Sequence, residues 1–307
     1  MSRRAALSAG ALAALAALCW AGNWIMGRAI RADVPPVGLA FWRWTFAALL
    51  LAPFWRKARA DIAAFRADWR VVLFLAATGA AAFQTMTYVG LRSTEAINAL
   101  LLSTTAPLWV IPIAALVLGD RPGGRQVLGI GISLVGATIL VARGDLARLA
   151  DLRLNQGDLW ILAALVIWGC YSVGLRFRPA TLSATGLVWL TAVFGALFLA
   201  PVYAWETLIA DRPVRLTWET AASVGYTAVF ASIVAFSAFN AAVAVLGPAR
   251  SVYFLHLMPV FGSGLAILFL GEAVAPYHLV GFPIALGGVL LATLSPDRVR
   301  PPPAASG

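Results

Sequence analysis

The chain has 307 residues, of which 61% are apolar and only 12% are charged. A soluble domain carries about 25% charged residues, so this sequence lacks the charged surface that a soluble fold of this size requires. Lipid must therefore cover most of its exterior. The formal net charge of +10 is best explained by cations on short loops that orient a membrane protein, and no basic stretch predicts a nucleic-acid partner.

The sequence contains no pattern that indicates a metal, a cofactor or a catalytic centre. Cys19 and Cys170 lie inside apolar runs without CxxC or Cys/His spacing. An intramembrane enzyme would need paired acids, a Ser/His pair or a His/Glu cluster within its spans. A nucleotide-driven pump would need a GxxxxGK[ST] sequence. We therefore expect neither an enzyme nor a cofactor, and a channel or a scaffold remains the alternative class of membrane protein.

Ten apolar segments are long enough to cross a bilayer, which takes about 20 residues of helix. The first apolar run continues through Trp20, Asn23 and Trp24, which predicts a retained membrane helix rather than a cleaved signal peptide. In chain order, spans 1 to 10 are predicted over residues 8–27, 36–54, 71–91, 95–118, 126–142, 157–175, 184–204, 220–241, 249–270 and 276–294.

Lys and Arg residues are unevenly distributed between the two sides of this arrangement. With the amino terminus inside, 14 of the 23 fall on inner segments and eight on outer loops. The loop from Arg56 to Arg70 alone contributes five inner cations. Because cations favour the cytoplasmic side, we predict a multi-pass protein of the bacterial inner membrane with both termini in the cytoplasm.

The two halves of the chain resemble each other. Residues 116–120 read LVLGD, and residues 268–272 read LFLGE. The matches at an offset of 152 are Pro107 with Pro259, Gly119 with Gly271, Asp120 with Glu272, Gly129 with Gly281 and Gly136 with Gly288. The matches at an offset of 148, earlier in each half, are Trp20 with Trp168, Arg28 with Arg176 and Pro53 with Pro201.

Each half contains five spans, and an odd number inverts the second copy relative to the first. Two such units share a pseudo-two-fold axis in the membrane plane, with a binding site at mid-bilayer between them. We predict an all-α polytopic membrane protein whose ten transmembrane helices form two inverted five-helix repeats around a central cavity. The first repeat covers 1–150, the second covers 151–296, and 297–307 is a short cytoplasmic tail. Duplication without a shared site is the alternative.

Three motifs stand in a fixed order: W-x-x-N at 20–23, F-W-R-W at 41–44, and A-P-L-W at 106–109 followed by L-G-D/E and a Gly-rich span. This order resembles the drug/metabolite transporter superfamily. More narrowly, the whole chain is similar to the EamA-type ten-helix exporters. This resemblance implies a secondary-type carrier that exports small organic metabolites by alternating access. The Trp-rich first span is similar to bacterial exporters of aromatic and other neutral amino acids. Other members carry sugars, nucleotide precursors, drugs or drug-like cations.

Helical spacing places polar and aromatic residues on shared faces of spans 1, 3, 4, 6, 8 and 9. Spans 5 and 10 instead carry small residues, which allow close packing. We therefore predict that spans 5 and 10 form a back wall while the other six surround the cavity. For each amide the alternative is an interhelical hydrogen bond, and for each ring it is packing. The predicted substrate-binding residues are Trp20, Asn23, Trp24, Gln84, Tyr88, Asn98, Thr105, Trp109, Trp168, Tyr171, Phe236, Asn240, Tyr253 and His256.

Two ionisable residues lie well inside predicted spans. Arg43 either contacts an anion such as a substrate carboxylate or caps carbonyls and snorkels to an interface. We favour the second interpretation because span 2 is expected at the periphery of the bundle. His256 either binds substrate and changes protonation near neutral pH or packs as a neutral, satisfied side chain.

The expected mechanism leaves its driving ion open. No Asp or Glu lies in the middle of a predicted span, which disfavours proton antiport through a buried acid. Pro107 and Pro259 stand mid-span at matched positions, where proline kinks a helix, and we predict that they act as hinges. The expected partners are a small-molecule substrate and the lipid bilayer, with the chain acting as a monomer or, alternatively, as an oligomer.

Overall fold

The computed structural model describes residues 3–29, 33–94, 96–120, 122–145, 147, 155–270 and 273–293. All regular elements within these residues are helical, and no strand is present among them. Eight helices have the length and hydropathy of a membrane span. The shorter apolar helix Pro36–Leu51 and a composite helix over 248–270 supply spans 2 and 9. The predicted all-helical polytopic architecture is therefore confirmed.

The spans follow the predicted order, and their ends differ from the predicted ones by a few residues. Spans 1 to 3 are Arg3–Ala29, Pro36–Leu51 and Trp69–Ser93, and span 4 consists of Ala96–Ser103 and Ala106–Leu118. Spans 5 to 8 are Gly124–Val141, Gln156–Phe177, Ala184–Leu208 and Trp218–Leu246. Span 9 consists of Pro248–Ser251, Val252–Leu257 and Met258–Leu270, and span 10 is Pro276–Thr293. A further helix, Trp55–Ala67, follows span 2. Sequence analysis treated that basic segment as a loop.

Helix contacts recur in equivalent pairs across the two halves. Span 1 packs against span 8, and span 6 packs against span 3. Span 1 also contacts span 9, and span 6 contacts span 4. Each pairing joins one helix from the first half to one from the second, which is the arrangement that a pseudo-two-fold axis between inverted units requires.

Spans 2 and 7 lie side by side, and a carboxylate from each half caps the start of the other helix. At one end, Glu206 accepts hydrogen bonds from the backbone N–H groups of Val37 and Gly38 at 3.4 and 2.8 Å. At the other end, Asp61 accepts from the backbone N–H and the hydroxyl of Ser183 at 2.8 and 2.7 Å. The first turn of a helix carries unpaired N–H groups and a partial positive charge, so both carboxylates stabilise this antiparallel pair.

Spans 5 and 10 form the most extensive contact between any two described helices, and glycines bring their backbones together. A Cβ atom added at Gly136 would lie 2.3 Å from the backbone nitrogen of Ala285. One added at Gly288 would lie 2.3 Å from the backbone nitrogen of Ser133. Real Cβ atoms cannot approach so closely, and these contacts confirm the predicted wall of small residues.

Spans 4 and 9 are discontinuous at equivalent places. Span 4 breaks at the turn Thr104–Thr105, and span 9 tightens into a 3₁₀ segment over Val252–Leu257. Pro107 and Pro259 are each the second residue of the helix that follows. Proline is tolerated there because its missing N–H would have no intrahelical partner. The expected kink within a continuous helix is thus wrong: the prolines restart a helix after a break, and their role as hinges stays a prediction.

The back wall yields a test with a matched control on one helix. Gly136→Ala places a methyl group against the backbone of span 10, and overpacking of this kind costs about 1–3 kcal/mol. Gly131→Ala adds the same methyl group where nothing lies within 4 Å. Thermal unfolding of the purified variants should show a lower melting temperature for Gly136→Ala and an unchanged or slightly raised one for Gly131→Ala. Equal melting temperatures would contradict the close approach of the two backbones.

Candidate functional site

A small hollow lies at the seam between the two halves. Its volume is about 30 Å³, which is room for roughly two water molecules. Residues of spans 1, 3, 4, 6 and 9 line it. They are Trp20, Asn23, Trp24, Phe83, Gln84, Thr87, Ser103, Leu165, Trp168, Leu255 and Met258. Five of the predicted substrate-binding residues, Trp20, Asn23, Trp24, Gln84 and Trp168, therefore share one hollow.

Aromatic rings from both halves meet beside this hollow. The rings of Trp20 and Trp168 pack edge to face with their centroids 5.1 Å apart. Phe236 lies 5.7 Å from Trp20 and 5.9 Å from Trp168, and Tyr171 stacks on Trp168 at 5.2 Å. Each such pair contributes about 0.5–1.5 kcal/mol beyond its buried area. Because Trp20 and Trp168 are equivalent in the repeat, their contact joins the two halves at corresponding positions.

Two Tyr–Asn hydrogen bonds occupy equivalent places in the two halves. The Tyr88 hydroxyl donates to Asn23 Oδ1 at 2.8 Å, and the Tyr171 hydroxyl donates to Asn240 Oδ1 at 2.7 Å. The repeat maps Asn23 onto Tyr171 and Tyr88 onto Asn240, so the residue types are exchanged while the bond is kept. A buried amide oxygen needs a donor, and each half of the chain supplies one.

Arg43 lies at the meeting point of spans 1, 2, 3 and 8, and its side chain is fully buried. Its Nε donates to the Ser232 hydroxyl at 2.8 Å. Its Nη1 lies within hydrogen-bonding distance of three oxygens, Tyr88 Oη at 2.7 Å, Gln84 Oε1 at 2.9 Å and Asn23 Oδ1 at 3.2 Å. These partners correct the expectation that the Arg43 side chain snorkels to an interface or caps backbone carbonyls. All of its hydrogen-bond partners among the described residues are side chains at the centre of the bundle.

His256 is also buried, and it connects the two broken helices. Its Nε2 donates to the backbone oxygen of Thr104 at 2.8 Å, and its Nδ1 contacts the Ser133 hydroxyl of the back wall. In a continuous helix the Thr104 oxygen would accept from Leu108, whose N–H bonds to Thr105 instead. An offset of 152 maps Thr104 onto His256, so this bond joins equivalent breaks. Protein groups thus engage both ring nitrogens, and His256 does not line the hollow.

The remaining predicted residues lie outside the lining of the hollow. Trp109 Nε1 donates to Thr105 Oγ1 at 3.3 Å, a local contact within span 4. Tyr253 is fully buried in the 3₁₀ segment of span 9. The side chain of Asn98 falls outside the part of the chain that the structure describes. Among the described residues, no group of three or more His, Cys, Asp or Glu side chains could hold a metal ion.

Sequence reasoning missed several contributors to the site. Leu255 and Met258 line the hollow, but an apolar residue in an apolar span gives no signal. Two π-helical segments, Ala76–Ala82 in span 3 and Thr227–Val234 in span 8, were also unforeseen. The second presents the Ala231 carbonyl to Trp20 Nε1 at 3.0 Å. Such segments are rare and concentrate at functional sites, and no residue pattern marks them here.

Two helical halves that pack in equivalent pairs around an aromatic and polar hollow give the chain the architecture of a multi-pass membrane transporter. The chain belongs to the EamA-like transporter family, whose family model matches residues 7–142 and again residues 155–294. Its family is therefore one of transporters rather than enzymes.

Individual proteins that are similar to this chain are also named as transporters or exporters. A protein of Streptantibioticus cattleyicolor named "Probable terminal-alkyne amino-acid exporter" is 30% identical over 226 residues, or 73% of each chain. A "Riboflavin transporter" of Brucella anthropi is 30% identical over 232 residues, which cover 74% of this chain and 75% of the relative. A solved crystal structure matches 94% of this chain and 96% of its own with a TM-score of 0.73 and 21% identity, which supports the fold alone.

The exchanged Tyr–Asn pairs give a second matched test. Tyr88→Phe removes a hydroxyl that contacts both Asn23 and the Arg43 guanidinium, and hydrogen bonds to charged groups contribute about 1.5–3 kcal/mol. Tyr171→Phe removes one neutral bond, which contributes about 0.5–1.5 kcal/mol. Thermal unfolding should therefore show a larger loss of stability for Tyr88→Phe. A loss for Tyr171→Phe that equals or exceeds it would contradict the role given to Arg43 in this network.

Proposed function

We propose that this chain is a secondary-type exporter of small organic metabolites and that amino acids with aromatic or other neutral side chains are its main substrates. The observation that carries the proposal is the hollow at the seam, which both halves line with aromatic rings and the first half lines with two amides, Asn23 and Gln84. Flat apolar walls with a few fixed polar groups suit a small amphipathic molecule. The name of the Streptantibioticus relative supports the choice of amino acids.

Alternating access follows from the size and position of the hollow. A volume of about 30 Å³ is too small for even the smallest amino acid, so the walls must separate before a substrate enters. Because both halves contribute to the walls, rocking one half against the other widens the hollow toward one side. We place the bending at the breaks Thr104–Thr105 and Val252–Leu257, which precede Pro107 and Pro259.

The proposed setting is the bacterial inner membrane, with both termini in the cytoplasm. The uneven distribution of Lys and Arg supports this orientation. With the amino terminus inside, the helix Trp55–Ala67 after span 2 lies on the cytoplasmic side. The segment between spans 7 and 8, which contains Arg212 and Arg215, lies on the outer side.

Transport of a planar heterocycle is the second candidate, and the riboflavin transporter among the relatives favours it. The paired rings of Trp20 and Trp168 could stack against a flavin as well as against an indole. Cationic compounds are disfavoured because the buried guanidinium of Arg43 would repel them. Competition between unlabelled riboflavin and labelled L-tryptophan for transport separates the first two candidates.

Counterflow in proteoliposomes tests the proposal directly. Vesicles that hold purified protein and unlabelled L-tryptophan should accumulate external labelled L-tryptophan transiently and saturably. Trp20→Ala and Trp168→Ala should each lower the rate about tenfold or more, because a buried aromatic side chain contributes about 1.5–3 kcal/mol and 1.4 kcal/mol is tenfold. Trp160→Ala is the matched control, since Trp160 lies on the same helix as Trp168 but is 40% exposed.

Each other outcome of the counterflow assay is also informative. Flux that does not saturate and shows no counterflow would indicate a channel and contradict the carrier. Saturable transport that neither tryptophan substitution changes would retain the carrier and refute the assigned site.

Cysteine labelling tests the orientation. In a variant whose native Cys19 and Cys170 are replaced by alanine, single cysteines are introduced as Arg66→Cys and Arg212→Cys, both at exposed positions. A membrane-impermeant maleimide added to intact spheroplasts should label position 212 and not position 66. Disrupted membranes, in which both positions should react, are the control. The reverse pattern in spheroplasts would invert the topology, and equal labelling would place both segments on one side.

A further inference from the structure

The positive charge of Arg43 has no acidic partner within the described part of the chain. The buried acids there, Asp61, Asp158 and Glu206, are engaged at the starts of helices, where each accepts at least one hydrogen bond from a backbone N–H group. Arg43 instead contacts neutral oxygens only. A buried cation is costly unless a counter-charge compensates it, so the centre of the bundle is electrostatically suited to receive an anion.

The hydrogen-bonding groups around the hollow also have an excess of donors. Arg43 Nη2 and Trp168 Nε1 are buried and have no acceptor among the described residues. Nearby acceptors are already in use, because Asn23 Oδ1 and Gln84 Oε1 both lie against Arg43 Nη1. A ligand that fits this inventory must present acceptor oxygens to these donors.

The guanidinium lies directly behind the wall of the hollow. Asn23 and Gln84 line the hollow and contact Arg43 Nη1 at 3.2 and 2.9 Å. These two amides therefore connect the lining of the hollow to the charge. A carboxylate can take their place with two parallel N–H···O bonds, the geometry for which a planar guanidinium is suited.

This feature belongs to one half only. The offset of 148 that aligns the early part of the two halves maps Arg43 onto Thr191, which is buried and neutral. The site therefore has a single cationic pole, next to a cluster of rings from both halves. A ligand with one carboxylate and one flat apolar group would be oriented by this asymmetry.

We propose that the hollow binds carboxylate-bearing substrates, with the carboxylate on the guanidinium of Arg43 and the apolar group between Trp20 and Trp168. This inference rests on the proposed function and narrows its substrate class. It excludes neutral planar molecules without a carboxylate, riboflavin among them, as preferred substrates.

Benzoate and benzamide test the inference, because they share a shape and differ in charge. Their dissociation constants are measured by isothermal titration calorimetry on the full chain in lipid nanodiscs. The wild-type protein should bind benzoate about tenfold more tightly than benzamide or better, the ratio expected of one charge-assisted hydrogen-bonded contact. Equal binding of the two probes to the wild-type protein, or binding of neither, would be enough to overturn the inference.

Two substitutions at Arg43 and a control at the equivalent position complete the test. Arg43→Gln should abolish the preference for benzoate, whereas Arg43→Lys should keep a reduced preference, because a lysine retains the charge without the planar pair of donors. Thr191→Val is nearly isosteric, removes a hydroxyl without a partner among the described residues, and should retain the wild-type ratio. A preference that persists undiminished in Arg43→Gln would refute the assignment to Arg43.

Failure of the inference can be told apart from failure of the proposed function. Counterflow of L-tryptophan without a benzoate preference would leave the exporter standing and refute the carboxylate site. A benzoate preference that depends on Arg43, without counterflow of any amino acid, would retain the site and refute amino acids as the exported class.

Discussion

The guanidinium of Arg43 is the interaction on which the centre of this fold depends. A cation at this depth in a bilayer costs about 2.5–3.5 kcal/mol by insertion scales, and it is tolerated only where polar groups surround it. Asn23, Gln84, Tyr88 and Ser232 supply those groups from spans 1, 3 and 8. Satisfying one side chain therefore fixes the relative positions of four helices, three from the first half and one from the second.

The two halves share a backbone plan but differ in chemistry at the site. The Tyr–Asn bond survives in both halves with its residues exchanged, so the repeat preserves an interaction rather than a residue. At the broken helices, Thr104 offers a freed carbonyl and its equivalent His256 offers a ring N–H. The contact between the two breaks therefore joins a side-chain donor of one half to a backbone acceptor of the other. Divergence of the repeats thus gives equivalent positions different roles in one contact.

The sequence predicted the features that depend on local pattern. Apolar runs gave the ten spans, and glycine spacing gave the contact between spans 5 and 10, since Gly136 and Gly288 leave room for an opposing backbone. Helical spacing also brought Trp20, Asn23 and Trp24 to one face.

Features that depend on which helices become neighbours could not be predicted from local sequence pattern. Arg43 was expected to snorkel or cap carbonyls because span 2 was placed at the periphery, and its actual partners could not be foreseen because they are distant in sequence, with Ser232 189 residues away. The π-helical segments are a response to packing, and alanine-rich sequence such as 76–82 does not encode them. The helix Trp55–Ala67 was missed because its density of cations resembles that of an orienting loop.

The distribution of close and loose packing determines where the halves can move. At the back wall, Gly136 of one half touches the backbone of Ala285 of the other, and neither residue has a side chain that could change rotamer to absorb a displacement. None of the described residues that line the hollow comes from spans 5 or 10. In the proposed alternating access, the wall therefore serves as the pivot about which the hollow opens. Because His256 joins the break in span 4 to Ser133 of the wall, the proposed bending at the breaks lies beside this pivot, where a small rotation produces a large displacement at the far ends of the helices.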